Sequence, residues 1–154
     1  MPGVFLWVYD TTNKVWVKAA ATASGAITVD TTPGPKTVTE VLNEAVIAAA
    51  TTTVIGDCAN IDMSDGAGSL ALTIGCTFNA AATQGISVHF RSSYDGINWD
   101  TIDYYTWIPT FTAGAAIMAT IGMETDVYYL RALVENLDAV QTLTLITLNS
   151  TLGA

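Results

Sequence analysis

His89 is the only histidine in a chain of 154 residues, and any imidazole chemistry must run through it. A His-dependent hydrolase needs that ring beside a nucleophile and an orienting acid. The sequence holds no G-x-S-x-G elbow, no Cys–His signature and no glycine-rich phosphate loop. In Ile86–Ser93 the apolar Val88 and Phe90 alternate with His89 and Arg91. That period of two places His89 mid-strand, on the face opposite the apolar one. The expectation is a surface or interface histidine.

The carboxylates gather in two places. Asp57, Asp62 and Asp65 precede Gly66, which invites a calcium loop. A loop of the EF-hand type needs oxygen ligands at positions one, three and five, glycine at six and glutamate at twelve. Counted from Gly66, the first position is Ile61 and the twelfth Leu72, so the pattern fails and a solvated turn is favoured over a looser cation site. Asp95, Asp100 and Asp103 form the second group. Two carboxylates facing across a cleft can hydrolyse a glycosidic bond, but nothing else in the chain supports that chemistry. Neither a catalytic residue, a metal nor a cofactor is expected. Of the two cysteines, Cys76 shares a face with Leu70, Leu72, Ile74 and Phe78, as a small buried hydrophobe does. Two free thiols are favoured over one bridge.

Aromatic residues offer the remaining chemistry. Asp95-Gly96 supplies the backbone angles of a tight turn. Trp99 and Ile102 follow it and are expected to refill the core, which makes Asp95, Gly96 and Trp99 a core hairpin. Tyr104, Tyr105 and Trp107 are candidates for a subunit contact, where aromatics are enriched. The rival is a sugar-stacking surface of a glycan-binding or receptor-binding module.

The elements that must position these residues read as strands throughout. Expected strands are Val4–Tyr9, Val15–Lys18, Ala26–Asp30, Leu70–Phe78, Ile86–Ser93, Trp99–Ile108, Ala115–Ile121, Val127–Val134 and Thr142–Leu148. Val38–Thr53 carries both helical spacing and a Thr-rich, β-favouring end, and an extended segment is preferred to a short helix. Pro33-Gly34-Pro35 makes a semi-rigid break. The predicted fold is therefore all-β: an antiparallel β-sandwich or jelly roll over 38–154, a linker at 31–37 and an N-terminal β-meander arm over 1–30. Phe5, Trp7 and Tyr9 alternate along one strand and, with Trp16, form an apolar face too large for so small a segment to bury. That face is expected to dock on an adjacent subunit.

Composition narrows the partners. The chain is 51% apolar and only 12% charged, about half the charge usual in soluble domains. Such a surface favours a homo-oligomer. Fourteen acidic residues outweigh five basic ones, for a net charge of −9, and Lys14, Lys18, Lys36, Arg91 and Arg131 are scattered. Phosphate recognition wants clustered cations, so nucleic acid and anionic membrane surfaces are disfavoured. No apolar run is long enough to cross a bilayer as a helix, and the start of the chain lacks the basic and apolar regions of an export signal.

Two groups of segments resemble a known class. The stretch from Val8 to Trp16, followed by Ala23–Val29, is similar to the openings of small structural proteins of tailed phages. Ser93–Trp99 and Tyr129–Val134 resemble the β-sandwich of the same group. The resemblance implies a bacteriophage virion protein on the capsid surface, of the capsid decoration (cement) type, made in the host cytoplasm. It further implies a homotrimer bound to the major capsid protein. The low charge and the Ala/Thr-rich segment at 45–53 depart from that pattern and leave open a tail or filament component.

Overall fold

The computed structural model of the chain describes residues 7–10, 15–18 and 36–153. The chain separates into two units, 1–32 and 33–154. In the first, β1 (Trp7–Asp10) and β2 (Val15–Lys18) pair antiparallel, with Trp7 opposite Lys18 and Tyr9 opposite Trp16. Phe5, the expected strand Ala26–Asp30 and most of the proline linker lie outside the described residues.

The second unit runs β3 (Val38–Ile47), a 3-10 turn (Ile55–Asp57), β4 (Ile61–Asp62), β5 (Ser69–Phe78), β6 (Ile86–Ser93), β7 (Tyr105–Trp107), β8 (Ala116–Glu124), β9 (Tyr129–Asn136) and β10 (Leu143–Gly153). Its pairing is nested. β3 pairs with β10, β4 with β9, β5 with β8 and β6 with β7, all antiparallel. One long hairpin, whose tip is the β6–β7 connection, is thus rolled up on itself. Rolling brings β10 beside β5 and β9 beside β6. The result is two four-stranded sheets of order β3-β10-β5-β8 and β4-β9-β6-β7. This is the eight-stranded jelly roll, the more specific of the two expected architectures.

The alternation read from the sequence explains the core. Along β5, Leu70, Leu72, Ile74, Cys76 and Phe78 are buried while the residues between them are half-exposed. Ile86, Val88 and Phe90 on β6 and Leu130, Ala132 and Val134 on β9 join the same apolar cluster. Cys58 and Cys76 are both free and buried. Val38–Thr53 is strand as far as Ile47 and then turns, with Ala50 in the left-handed region at φ 52°.

Strand β10 breaks the alternation. Thr144 faces Thr77 on β5, but Thr147 faces Gly75, so β10 carries one extra residue. Leu145 absorbs it at φ 53° and is turned out, 70% exposed. Leu143, Ile146 and Leu148 are thereby all buried. A β-bulge has re-phased an apolar run that strict alternation could not have placed.

The hairpin at the centre of the sequence differs from the expected one. Its arms are β6 and the three-residue β7, with Val88 opposite Trp107 and Phe90 opposite Tyr105. Residues 94–104 form a long loop, not a two-residue turn followed by a strand. Asp95 holds that loop by accepting from the amides of Ile97 and Asn98, at 2.9 and 2.8 Å, and Gly96 sits at φ 71°. These amides hold the Asp95 carboxyl far below the ordinary carboxylate range. Ile102, expected in the core, is 79% exposed. Trp99 is only half-buried and stands outside the core cluster.

One end of the roll is locked by two polar side chains. Asn136 donates to the carbonyls of Ile47, Ala48 and Gln141. Asp138 accepts from the amides of Thr83, Gln84, Val140 and Gln141 and from the Thr83 hydroxyl. The Thr83 and Gln141 amides lead in holding its carboxyl far below the usual range. The Asp138 carboxylate joins the 83–84 turn to its own turn, and Asn136 adds the turn after β3.

Candidate functional site

Three features outside the core could carry function. The first is built on the outer face of the β4-β9-β6-β7 sheet. His89 on β6 meets Asp103 through Nδ1 at 2.8 Å and Glu135 on β9 through Nε2 at 2.9 Å. Arg91 Nε lies 2.6 Å from the second oxygen of Asp103, and the Thr106 hydroxyl donates to the first. Burial pushes the Asp103 carboxyl up. The His89 hydrogen bond, the charges of His89 and Arg91, and Thr106 outweigh it, and the group ends below its ordinary value. Both ring nitrogens of His89 face carboxylates, so neither is presented to a nucleophile. The cluster ties the long loop to the sheet.

The second feature is Arg131 on β9. Its Nε donates to Asn60 Oδ1 at 2.7 Å and its Nη1 to the Ile55 carbonyl at 2.8 Å. The guanidinium also covers the Trp99 ring. Arg131 therefore joins three segments, and Trp99 is its stacking platform.

The third is the open side of the roll, where β7 and β8 end their sheets. A groove of about 480 Å³ runs there, lined by Tyr104, Tyr105, Ile121, Gly122, Met123 and Glu124. Tyr104 and Tyr105 are 43% and 44% exposed. The Tyr104 hydroxyl accepts from Thr125, and the Tyr105 ring leans on Phe90 with centroids 5.9 Å apart. Trp107 packs on the core and does not line the groove. Of the three aromatics grouped in the sequence, only the tyrosines line the groove. Trp7, Tyr9 and Trp16 lie on the β1–β2 hairpin.

The aspartates preceding Gly66 do not form a metal site with one another. Among the described residues no cluster of three or more His, Cys, Asp or Glu could hold a metal. Asp62 instead accepts from the Ser64 amide at 2.9 Å, and Ser64 holds its carboxyl below the usual range. Among the described residues, no helix is long and apolar enough to cross a membrane.

Glu135, Asn60 and Arg131 were not visible as site residues in the sequence. They reach their partners only through the β6–β9 and β4–β9 pairings, and no local spacing encodes those. No family model matches the sequence, and neither does any curated protein.

Proposed function

We propose that this chain is a non-enzymatic structural protein of a bacteriophage virion, of the capsid decoration type. It binds copies of itself, with a trimer as the first expectation, and the major capsid protein. The fold alone does not choose this role, since jelly rolls serve in viral capsids and in lectins alike. The observation that carries it is the surface. Among the described residues thirteen large apolar side chains stand open, from Tyr104 at 43% to Met118 at 81%, on a chain with only 12% charged residues. A surface of that kind gains from being covered by other protein. On a shell, many weak contacts of this sort act together through multivalency. Electron microscopy of the purified particle tests the reading: density for the roll on the capsid lattice is expected. Its absence from shell, tail and filament alike would overturn it.

The groove favours a second reading, a glycan-binding module. Two half-exposed tyrosines and Glu124 could stack on a sugar ring and accept from its hydroxyls. Chemical-shift titration of the protein with an oligosaccharide panel separates the two. Saturable shifts confined to Tyr104, Tyr105 and their neighbours would favour the glycan reading.

A further inference from the structure

Strand β8 is an edge unlike the others. Strand β4 has two residues and β7 three, too short to template a partner. β3 is long, but it carries Glu40 and Glu44 and a register shift near its Val41. Charge and bulges of this kind are how sheet edges are kept from pairing. β8 has nine residues, Ala116–Glu124, in unbroken register with β5. It contains no lysine, no proline and no charge before Glu124. Its inward residues Ile117, Ala119, Ile121 and Met123 reach the core but remain partly open. An edge strand presents a row of outward amides and carbonyls, and among the described residues no strand pairs with that side of β8.

We propose that β8 pairs antiparallel with β8 of a second copy, joining two β3-β10-β5-β8 sheets into one of eight strands. The strand is self-complementary in that arrangement. Pairing over its whole length sets Thr120 opposite Thr120 of the second copy, on the two-fold axis. Met118, 81% exposed, then lies opposite Gly122 of the second copy. A side chain at Gly122 would meet nothing within 4 Å, so the glycine leaves room for the methionine. Glu124 falls beside Ala116 and far from its own copy, so the one charge meets no like charge. Ile117 meets Met123 and Ala119 meets Ile121, and the half-open inward face becomes continuous across the axis. A two-fold contact is isologous. It makes dimers where it acts alone and even-numbered assemblies, such as paired trimers, where another face supplies a three-fold. The inference rests on the self-association proposed above and not on a virion location.

The experiment uses the full chain with single cysteines introduced at Thr120, Met118 or Gly122. The native thiols are buried and do not compete. The two residues of an antiparallel pair lie within disulfide reach. Under mild oxidation Thr120→Cys is expected to give a covalent dimer. Met118→Cys and Gly122→Cys should not do so alone, but should when mixed. Met118→Lys, at a site exposed enough to leave the fold intact, should raise the dissociation constant at least tenfold by sedimentation velocity. A lone stable trimer, or an oligomer indifferent to Met118→Lys with no Thr120→Cys dimer, would overturn the β8 contact while leaving self-association standing. A monomer at all concentrations would overturn both.

Discussion

The guanidinium of Arg131 lies 4.6 Å from the centre of the Trp99 ring. Trp99 is therefore held by a cation on the sheet's outer side, and it steadies the 94–104 loop from without. Arg131 carries two charge-assisted hydrogen bonds besides. Removing Arg131 breaks all three contacts at once. Arg131→Ala is expected to cost about 2–3 kcal/mol, the sum of such bonds and a partly desolvated cation–π contact. Arg131→Lys should recover less than half, because an ammonium lacks the planar fork. Trp99→Ala should cost about 1–2 kcal/mol, against the ~3–5 kcal/mol of a Trp truncated in a core. Urea titration of the three variants checks this ordering. A Trp99→Ala loss as large as a core truncation would show that the ring is buried in solution.

The adjacent pair Leu145 and Ile146 should respond in opposite ways. Leu145 is exposed at positive φ, where a β-carbon is strained. Leu145→Gly relieves that strain and adds unfolded-state freedom, so stability should stay level or rise by up to about 1 kcal/mol. Ile146 is fully buried, and Ile146→Ala should cost about 2–5 kcal/mol. Thermal melts of the two variants test the bulge directly. A Leu145→Gly protein as damaged as Ile146→Ala would mean that Leu145, not Ile146, fills the core.

How much of this was legible follows from the range of each signal. The alternation of Leu70, Leu72, Ile74, Cys76 and Phe78 is local, and it placed a buried strand correctly. The turn after Ser93 was legible as a turn, but its length was not. Asp95 can cap its own loop or start a tight hairpin, and only the partner strand decides. Here Tyr105, not Trp99, meets β6. Leu145 and Ile146 are both apolar, so the bulge had no signature. The nested pairing is longest in range: Val38 meets Thr151. Glu135 and Arg131 meet their partners through pairings of that kind, and the sequence pattern could place His89 and Arg91 only on the outer face of a strand, not beside Asp103 or Glu135.

The two thiols should be silent in the native state. Burial pushes Cys76 up to about 11. Burial likewise raises Cys58, against the Thr53 contact and the Arg131 charge. The nucleophile is the thiolate, and both sulfurs are also shielded. At pH 8, Ellman's reagent is expected to find close to zero thiols in the folded protein and two after denaturation. One fast native thiol would place Cys58 or Cys76 at the surface.

The Asp103 cluster predicts a particular loss of stability in acid. Asp103 titrates lower in the folded protein than in the unfolded chain. The unfolded state therefore takes up the proton more readily, and acid favours unfolding. The contribution is complete above the ordinary carboxylate range, near pH 4. It is lost as the pH falls through the lowered folded value. Asp103 is 26% exposed, so solvent screening holds the effect of the ion pairs to about 1 kcal/mol. Asp95 and Asp138 are also held low, and they weaken the fold over the same range. The Asp103 share must therefore be read as a difference. Asp103→Asn should be less stable than the parent by about 1 kcal/mol at pH 7. The gap should close as the pH drops below the ordinary carboxylate range, and it should shrink in high salt because the pairs are partly exposed. Urea midpoints of both proteins between pH 7 and pH 2 test this. A gap of constant size across that range would mean that Asp103 acts through packing or neutral hydrogen bonds, and that its contacts to His89 and Arg91 carry no charge-dependent stabilisation.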